Sequence, residues 1–245
     1  MKIIEIGHNH MGSIEKGIDL IGKICETSCD AVTIQFREQS FYENNSNFDL
    51  PYYFYHVVID KIKKSGKKVG VALSNLKIID FFNNQTPDFY KILSKDLEDH
   101  EFLSKISNYS KSKLYLSTGM SSYDKSEEAL NTLGSNTTLI HTSMSDELAD
   151  VNLKAIQGMR ERFGVDIAYG NHCKNLNAVY AALSFKPTDV FLYTKGQETL
   201  DYPDNDHAVS INQLEIFLEN IEQIEKTIGD GVKYKITKGI KGQKW

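Results

Sequence analysis

The stretch Leu116-Ser117-Thr118-Gly119-Met120 ends a short apolar strand, Lys113 to Leu116, with two hydroxyls and a glycine before Ser121 opens a helix. Such a turn can hold a phosphate: hydroxyls and N–H groups at a helix start donate to it, and glycine lets the anion approach the backbone. The same residues also describe a turn that merely caps a helix. The flanking sequence shows what kind of fold carries the turn.

In both directions apolar runs alternate with amphipathic ones. Strand-like runs fall at Ile3 to Ile6, Ala31 to Gln35, Val69 to Leu73, Phe89 to Ile92, Leu114 to Leu116, Thr138 to His141, Asp166 to Tyr169 and Val190 to Tyr193. Helical spacing lies between them, as in Ile14, Ile18, Ile21, Ile24. It recurs in Leu214, Phe217, Leu218, Ile221, Ile224, with Ser210 as N-cap. Eight such units in 245 residues predict an α/β fold, a single (β/α)8 TIM barrel. A doubly wound open sheet is the alternative, but no dinucleotide glycine fingerprint is found. The barrel is expected over residues 1–230, with 231–245 as a tail rich in Lys and Gly.

A net charge of −5 argues against nucleic acid, which needs a basic stripe. Lys61, Lys63, Lys64, Lys67 and Lys68 read as a solvated helix end and turn. The Tyr52-Tyr53-Phe54-Tyr55 cluster reads as packing between elements or at a subunit interface. No apolar run approaches the roughly 20 residues that span a membrane. Met1 leads directly into Lys2-Ile3-Ile4-Glu5-Ile6, so neither an anchor nor a signal is read and a cytoplasmic protein is expected. Cys25, Cys29 and Cys173 have no C-x-x-C spacing and read as reduced structural thiols.

Several motifs resemble, in order, those of the N-acetylneuraminate (sialic acid) synthase family. They are Glu5-Ile6-Gly7-His8-Asn9-His10-Met11-Gly12, Cys29-Asp30-Ala31-Val32-Thr33-Ile34-Gln35, Tyr90-Lys91-Ile92-Leu93-Ser94, Leu116 to Met120, Asp150-Val151-Asn152-Leu153 and Asp206-His207-Ala208. The resemblance implies condensation of phosphoenolpyruvate with an N-acylated amino sugar, small-molecule partners only and a homodimer. It also implies a divalent metal, Mn²⁺ or similar. The family's small C-terminal domain is not expected in these residues. A related aldolase or lyase, or a barrel that only binds a sugar or partner, are the alternatives.

Carried over residue by residue, the resemblance gives Lys91, Ser94 and Ser117 as the anion cradle, with Thr118 and Gly119 shaping its turn. A lysine pointing into a barrel is costly unless it meets an anion, so Lys91 is read either as a substrate ligand or as half of an ion pair, for example with Asp96. The family's second anion-binding lysine is Thr33 here, and Arg37, on the same face of the strand, is read as supplying charge higher in the mouth. Asp96 stands where the family has its acid/base glutamate. Glu5, Gln35, Asn9 and His10 are expected to frame the sugar, with Glu5 read equally as a satisfied buried carboxylate. His172 is read as a metal ligand or a pocket histidine, and Glu198 or Gln197 as the oxygen replacing a second histidine missing after the eighth strand. Asp206 and His207 read as loop or cap residues, His8, His56 and His100 as surface or loop residues, and His141 as a support behind the site.

Overall fold

The computed structural model describes residues 1–110, 112–145, 147–196 and 199–233. Eight parallel strands pair in chain order: β1 (Lys2–Glu5), β2 (Ala31–Phe36), β3 (Lys68–Leu73), β4 (Phe89–Ile92), β5 (Lys113–Ser117), β6 (Thr137–His141), β7 (Ile167–Gly170) and β8 (Val190–Lys195). Pairing of Lys2 through Glu5 with Val190 through Tyr193 closes the sheet into a barrel. The predicted fold is therefore correct, and each predicted strand falls within two residues of an observed one. A two-residue strand, β9 (Val209–Ser210), pairs with the end of β8.

Helices cover the outside: α1 (Ile14–Cys25), α2 (Gln39–Asn44), α3 (Tyr52–Lys64), α4 (Ile79–Asn84), α5 (His100–Tyr109), α6 (Tyr123–Leu133), α7 (Ala155–Phe163), α8 (Asn177–Leu183) and α9 (Ile211–Ile228). Side-chain caps open α1 and α5, with Ser13 accepting from the Lys16 N–H and Asp99 from the Phe102 N–H. Two predicted starts differ. Ser122, not Ser121, caps α6, because its Oγ accepts from the Lys125 N–H. Ser210 sits at the N-cap of α9, yet its hydroxyl is buried and makes no cap bond. No helix is long and apolar enough to cross a membrane among the described residues. The expected tail lies almost wholly outside them.

Strand side chains alternate between the helix layer and the barrel interior. The lowest interior layer is apolar and closed: Ile3, Ala31, Phe89, Tyr115, Ile140, Ala168 and Phe191 pack together. Phe89, Tyr115 and Phe191 meet edge to face at 5.1 to 6.2 Å. Two residues further along each strand the same face carries Glu5, Thr33, Lys91, Ser117, Thr142, Gly170 and Tyr193. One strand repeat above them come Gln35 and His172. An apolar floor beneath a polar mouth thus follows from period-two alternation alone.

Gly70 on β3 leaves room for that floor. A Cβ there would lie 2.2 Å from two ring carbons of Phe89 and 2.8 Å from the Thr33 hydroxyl. Gly70→Ala should therefore destabilise the barrel by about 2 kcal/mol or more. Urea unfolding would check this, and a change below about 0.5 kcal/mol would show that the floor can yield.

Candidate active site

A cleft of about 540 Å³ opens over the carboxyl ends of the strands. Its walls include Gln35, Arg37, Lys91, Ser94, Ser117 and His172, and a lip of Phe41, Phe48, Met120 and Met144. Lys91 is 3% exposed, and its Nζ donates to both oxygens of Glu5 at 2.6 and 2.8 Å. Its ion-pair partner is Glu5 across the interior rather than Asp96. Above it the Gly119 N–H donates to Ser94 Oγ at 3.0 Å, and Ser94 Oγ donates to Ser117 Oγ at 3.0 Å. The β5 turn therefore joins the residue after β4 to make one hydroxyl-lined wall, and the Ser117 proton remains free to donate outward.

Besides Glu5, which lies beneath it paired with Lys91, four candidates from the sequence do not line this cleft. Asn9 donates to the Thr194 carbonyl and accepts from the Asp204 N–H, so it braces the chain beyond β8. His10 is 2% exposed, accepts from the Gly12 N–H and packs on Phe48 and Phe54. Thr118 Oγ1 donates to the Ile140 carbonyl, and the residue lines a separate cavity of about 330 Å³ beside α6. Asp96 is held by Ser74 Oγ and Lys95 Nζ, both at 2.6 Å. In each case neighbouring atoms take up the polar group. Arg37 grips Glu38 through two hydrogen bonds at 3.0 and 3.1 Å, and Lys95 bridges Glu38 and Asp96. Glu198 lies outside the described residues, as does Gln197.

His8, Asp204 and His207 are among the cleft residues that went unassigned to it in the sequence. His8 is buried, against the expectation of a surface or loop position, with its ring 4.7 Å from Phe41. Asp204 lines the wall beside Tyr193, and Gly7 (φ 46°) makes room for it: a Cβ there would lie 2.6 Å from Asp204 Oδ2. His207 reaches into the cleft with its ring 4.7 Å from that of His172, instead of serving only the loop or cap. The following-helix position hid it, although a histidine near a strand end was a usable signal. Asp206 points away, paired with Lys174, and His141 holds the Val151 carbonyl at 2.9 Å.

Burial sets the charge states. It lowers His172 to about 3, with help from His207 and Lys91, and His207 to about 4, so both imidazoles are neutral at pH 7. It raises Asp204 to about 7, reinforced by the Glu5 charge. Among the described residues no three His, Cys, Asp or Glu side chains are grouped to hold an ion by themselves.

A closed parallel barrel with a polar cleft over its strand ends is the architecture of a barrel enzyme. The chain belongs to the NeuB family, whose profile matches residues 20–233. It is 30% identical over 179 residues to an N,N'-diacetyllegionaminic acid synthase of Campylobacter jejuni, covering 68% of this chain and 53% of that protein. A pseudaminic acid synthase of Campylobacter jejuni is 20% identical, covering 94% of this chain and 75% of that one. In fold it resembles an N-acetylneuraminic acid (sialic acid) synthetase of Leptospira borgpetersenii, with a TM-score of 0.87 at 20% identity, over 97% of this chain and 87% of that one. The chain thus spans about half the length of the first relative and three quarters of the second.

Lys91→Met strands the buried Glu5 charge and should cost about 3–5 kcal/mol, whereas Lys91→Met with Glu5→Met should recover most of that loss. Chemical denaturation of the two variants checks it, and equal losses would show that the pair is not coupled. Burial also lowers His10 to about 4, against 6.5 when unfolded. Between those values the unfolded chain binds more protons, so stability falls as pH drops below 6.5. From pH 7.5 to 5 the wild type should lose about 2 kcal/mol more than His10→Leu, and parallel pH profiles would contradict that.

Proposed function

We propose that this chain condenses phosphoenolpyruvate with an open-chain N-acylated hexosamine, giving a nine-carbon 2-keto acid of the sialic type for surface-glycan biosynthesis. The observation that carries the reading is the convergence of Lys91, Ser94 and Ser117 on one wall of a cleft large enough for both reactants. The names of the NeuB relatives, synthases of legionaminic and pseudaminic acids, support the same product class.

In the reaction, C3 of phosphoenolpyruvate attacks the aldehyde carbon and forms the new carbon–carbon bond, while the carbonyl π bond opens and its oxygen takes up a proton to become a hydroxyl. Water then adds at C2, the bond from C2 to the phosphate oxygen breaks, and phosphate leaves as the keto group forms. Lys91 supplies the buried cation for the anionic reactant, sharing its charge with Glu5, while Ser117, itself accepting from Ser94, donates a hydrogen bond. Gln35 and Arg37 stand higher on the wall to meet the carboxylate or the sugar. Asp204, raised to about 7, is the cleft carboxylate matched to accept a proton from water near neutral pH. Asp96, behind Ser94, then steadies the wall through Ser74 and Lys95. The apolar lip accommodates N-acyl methyl groups. A divalent ion such as Mn²⁺, when bound beside His172, supplies Lewis acidity to the aldehyde.

Phosphate release measured with phosphoenolpyruvate, Mn²⁺ and a panel of N-acyl hexosamines tests the reading. Sugar-dependent release is expected, with kcat/KM falling about 100-fold in Ser117→Ala. Absence of release with every sugar in the panel, or full activity in Ser117→Ala, would overturn it.

A further inference from the structure

We propose that His172 and His207 together form a divalent-cation site at the barrel mouth, with His207 providing the imidazole that the segment after β8 lacks. The site deepens the synthase reading and rests on it for the expected kind of ion, but its detection does not require turnover.

The two rings come from different places in the chain. His172 follows β7 directly. His207 lies between β8 and β9, and the pairing of Thr194 with Val209 and of Lys195 with Ser210 turns that segment back over the mouth. Thr194 Oγ1 donates to the Val209 carbonyl at 2.8 Å, and the His207 and Ala208 N–H groups donate to the Asp204 carbonyl at 3.3 and 3.0 Å. Asn9 clamps the same turn to the end of β8. His207 is therefore held in position by backbone bonds rather than by its own side chain.

The ring centroids are 4.7 Å apart with planes inclined by 38°, and both rings lie against Tyr193, at 5.3 and 5.1 Å. Ring Nε2 of His207 and Oδ2 of Asp204 are both buried without a hydrogen-bond partner. His207 Nε2 also stands 3.7 Å from Asp204 Oδ1. Two imidazoles side by side, one with an unsatisfied nitrogen, make a nitrogen pair that suits a borderline divalent ion. Both histidines line the cleft, so the coordination positions that two imidazoles leave would face it. An open position of that kind is what separates a catalytic ion site from a structural one.

The test is Mn²⁺ binding to the chelator-stripped full chain in the presence of phosphoenolpyruvate, read as loss of the free-ion electron paramagnetic resonance signal. One ion per chain is expected. His207→Gln should weaken binding at least about tenfold, the lower end of what even outer partners of metal ligands contribute. The exposed His100→Gln should leave binding unchanged. In the wild type, Mn²⁺ should broaden the imidazole resonances of both His172 and His207 and spare those of His56 and His100, a readout independent of how well any variant folds. Unchanged affinity in His207→Gln would overturn the proposal, as would broadening of His172 without His207, or loss of binding in Glu198→Gln but not in His207→Gln. An ion bound at both histidines with no phosphate release would sink the synthase reading and leave this site standing. Phosphate release that resists chelator and survives His207→Gln would do the reverse.

Discussion

The ion pair between Lys91 and Glu5 constrains everything above the barrel floor. Both charges sit in the interior, on β4 and β1, each 3% exposed, and neither tolerates that position alone. Beneath them the packed rings of Phe89, Tyr115 and Phe191 exclude water, so the charges can be reached only from the mouth. A guest anion must therefore approach Lys91 past Ser94 and Ser117, where hydroxyls rather than solvent meet it. Low local dielectric makes each of those hydrogen bonds worth more than it would be at the surface.

The same constraint shapes the rim. Arg37, Lys95 and Lys91 each already face a carboxylate, in Glu38, Asp96 or Glu5. An anion entering this cleft would exchange partners with these pairs rather than fill a bare cationic hole. Thr33, with a buried hydroxyl that finds no partner, occupies the interior position below Gln35 and adds no charge. The apolar lip of Phe41, Phe48, Met120 and Met144 adds shape selection for a ligand with both charged and methyl-bearing ends.

Much of this was legible before folding. Runs such as Ala31-Val32-Thr33-Ile34-Gln35 marked strands because both faces of a parallel sheet are buried, and helical spacing between them fixed the topology. Lys91 stood out because a charged side chain on an inward face demands a partner, and Ser117 because the turn after its strand carries two hydroxyls and a glycine. Asn9, His10 and Thr118 were placed at the site by the family resemblance and are drawn elsewhere. Their polar atoms are taken up by the Thr194 carbonyl, the Gly12 N–H and the Ile140 carbonyl, contacts that no local pattern encodes. His8 misled in the opposite direction, since a histidine after a strand gives no sign of whether Phe41 and Phe48 will cover it.

The amino-acid order by itself determined the eight-unit barrel, the apolar floor and the strand ends at which chemistry gathers, because periodicity and burial act over neighbouring residues. Only the tertiary structure decided which carboxylate pairs with Lys91 and which second histidine stands beside His172. Glu5 lies 86 residues from Lys91, and His207 is carried to the mouth by the pairing of β9 with β8. Such meetings depend on barrel closure and on a clamped loop, and closure brings together residues whose separation along the chain carries no trace of it.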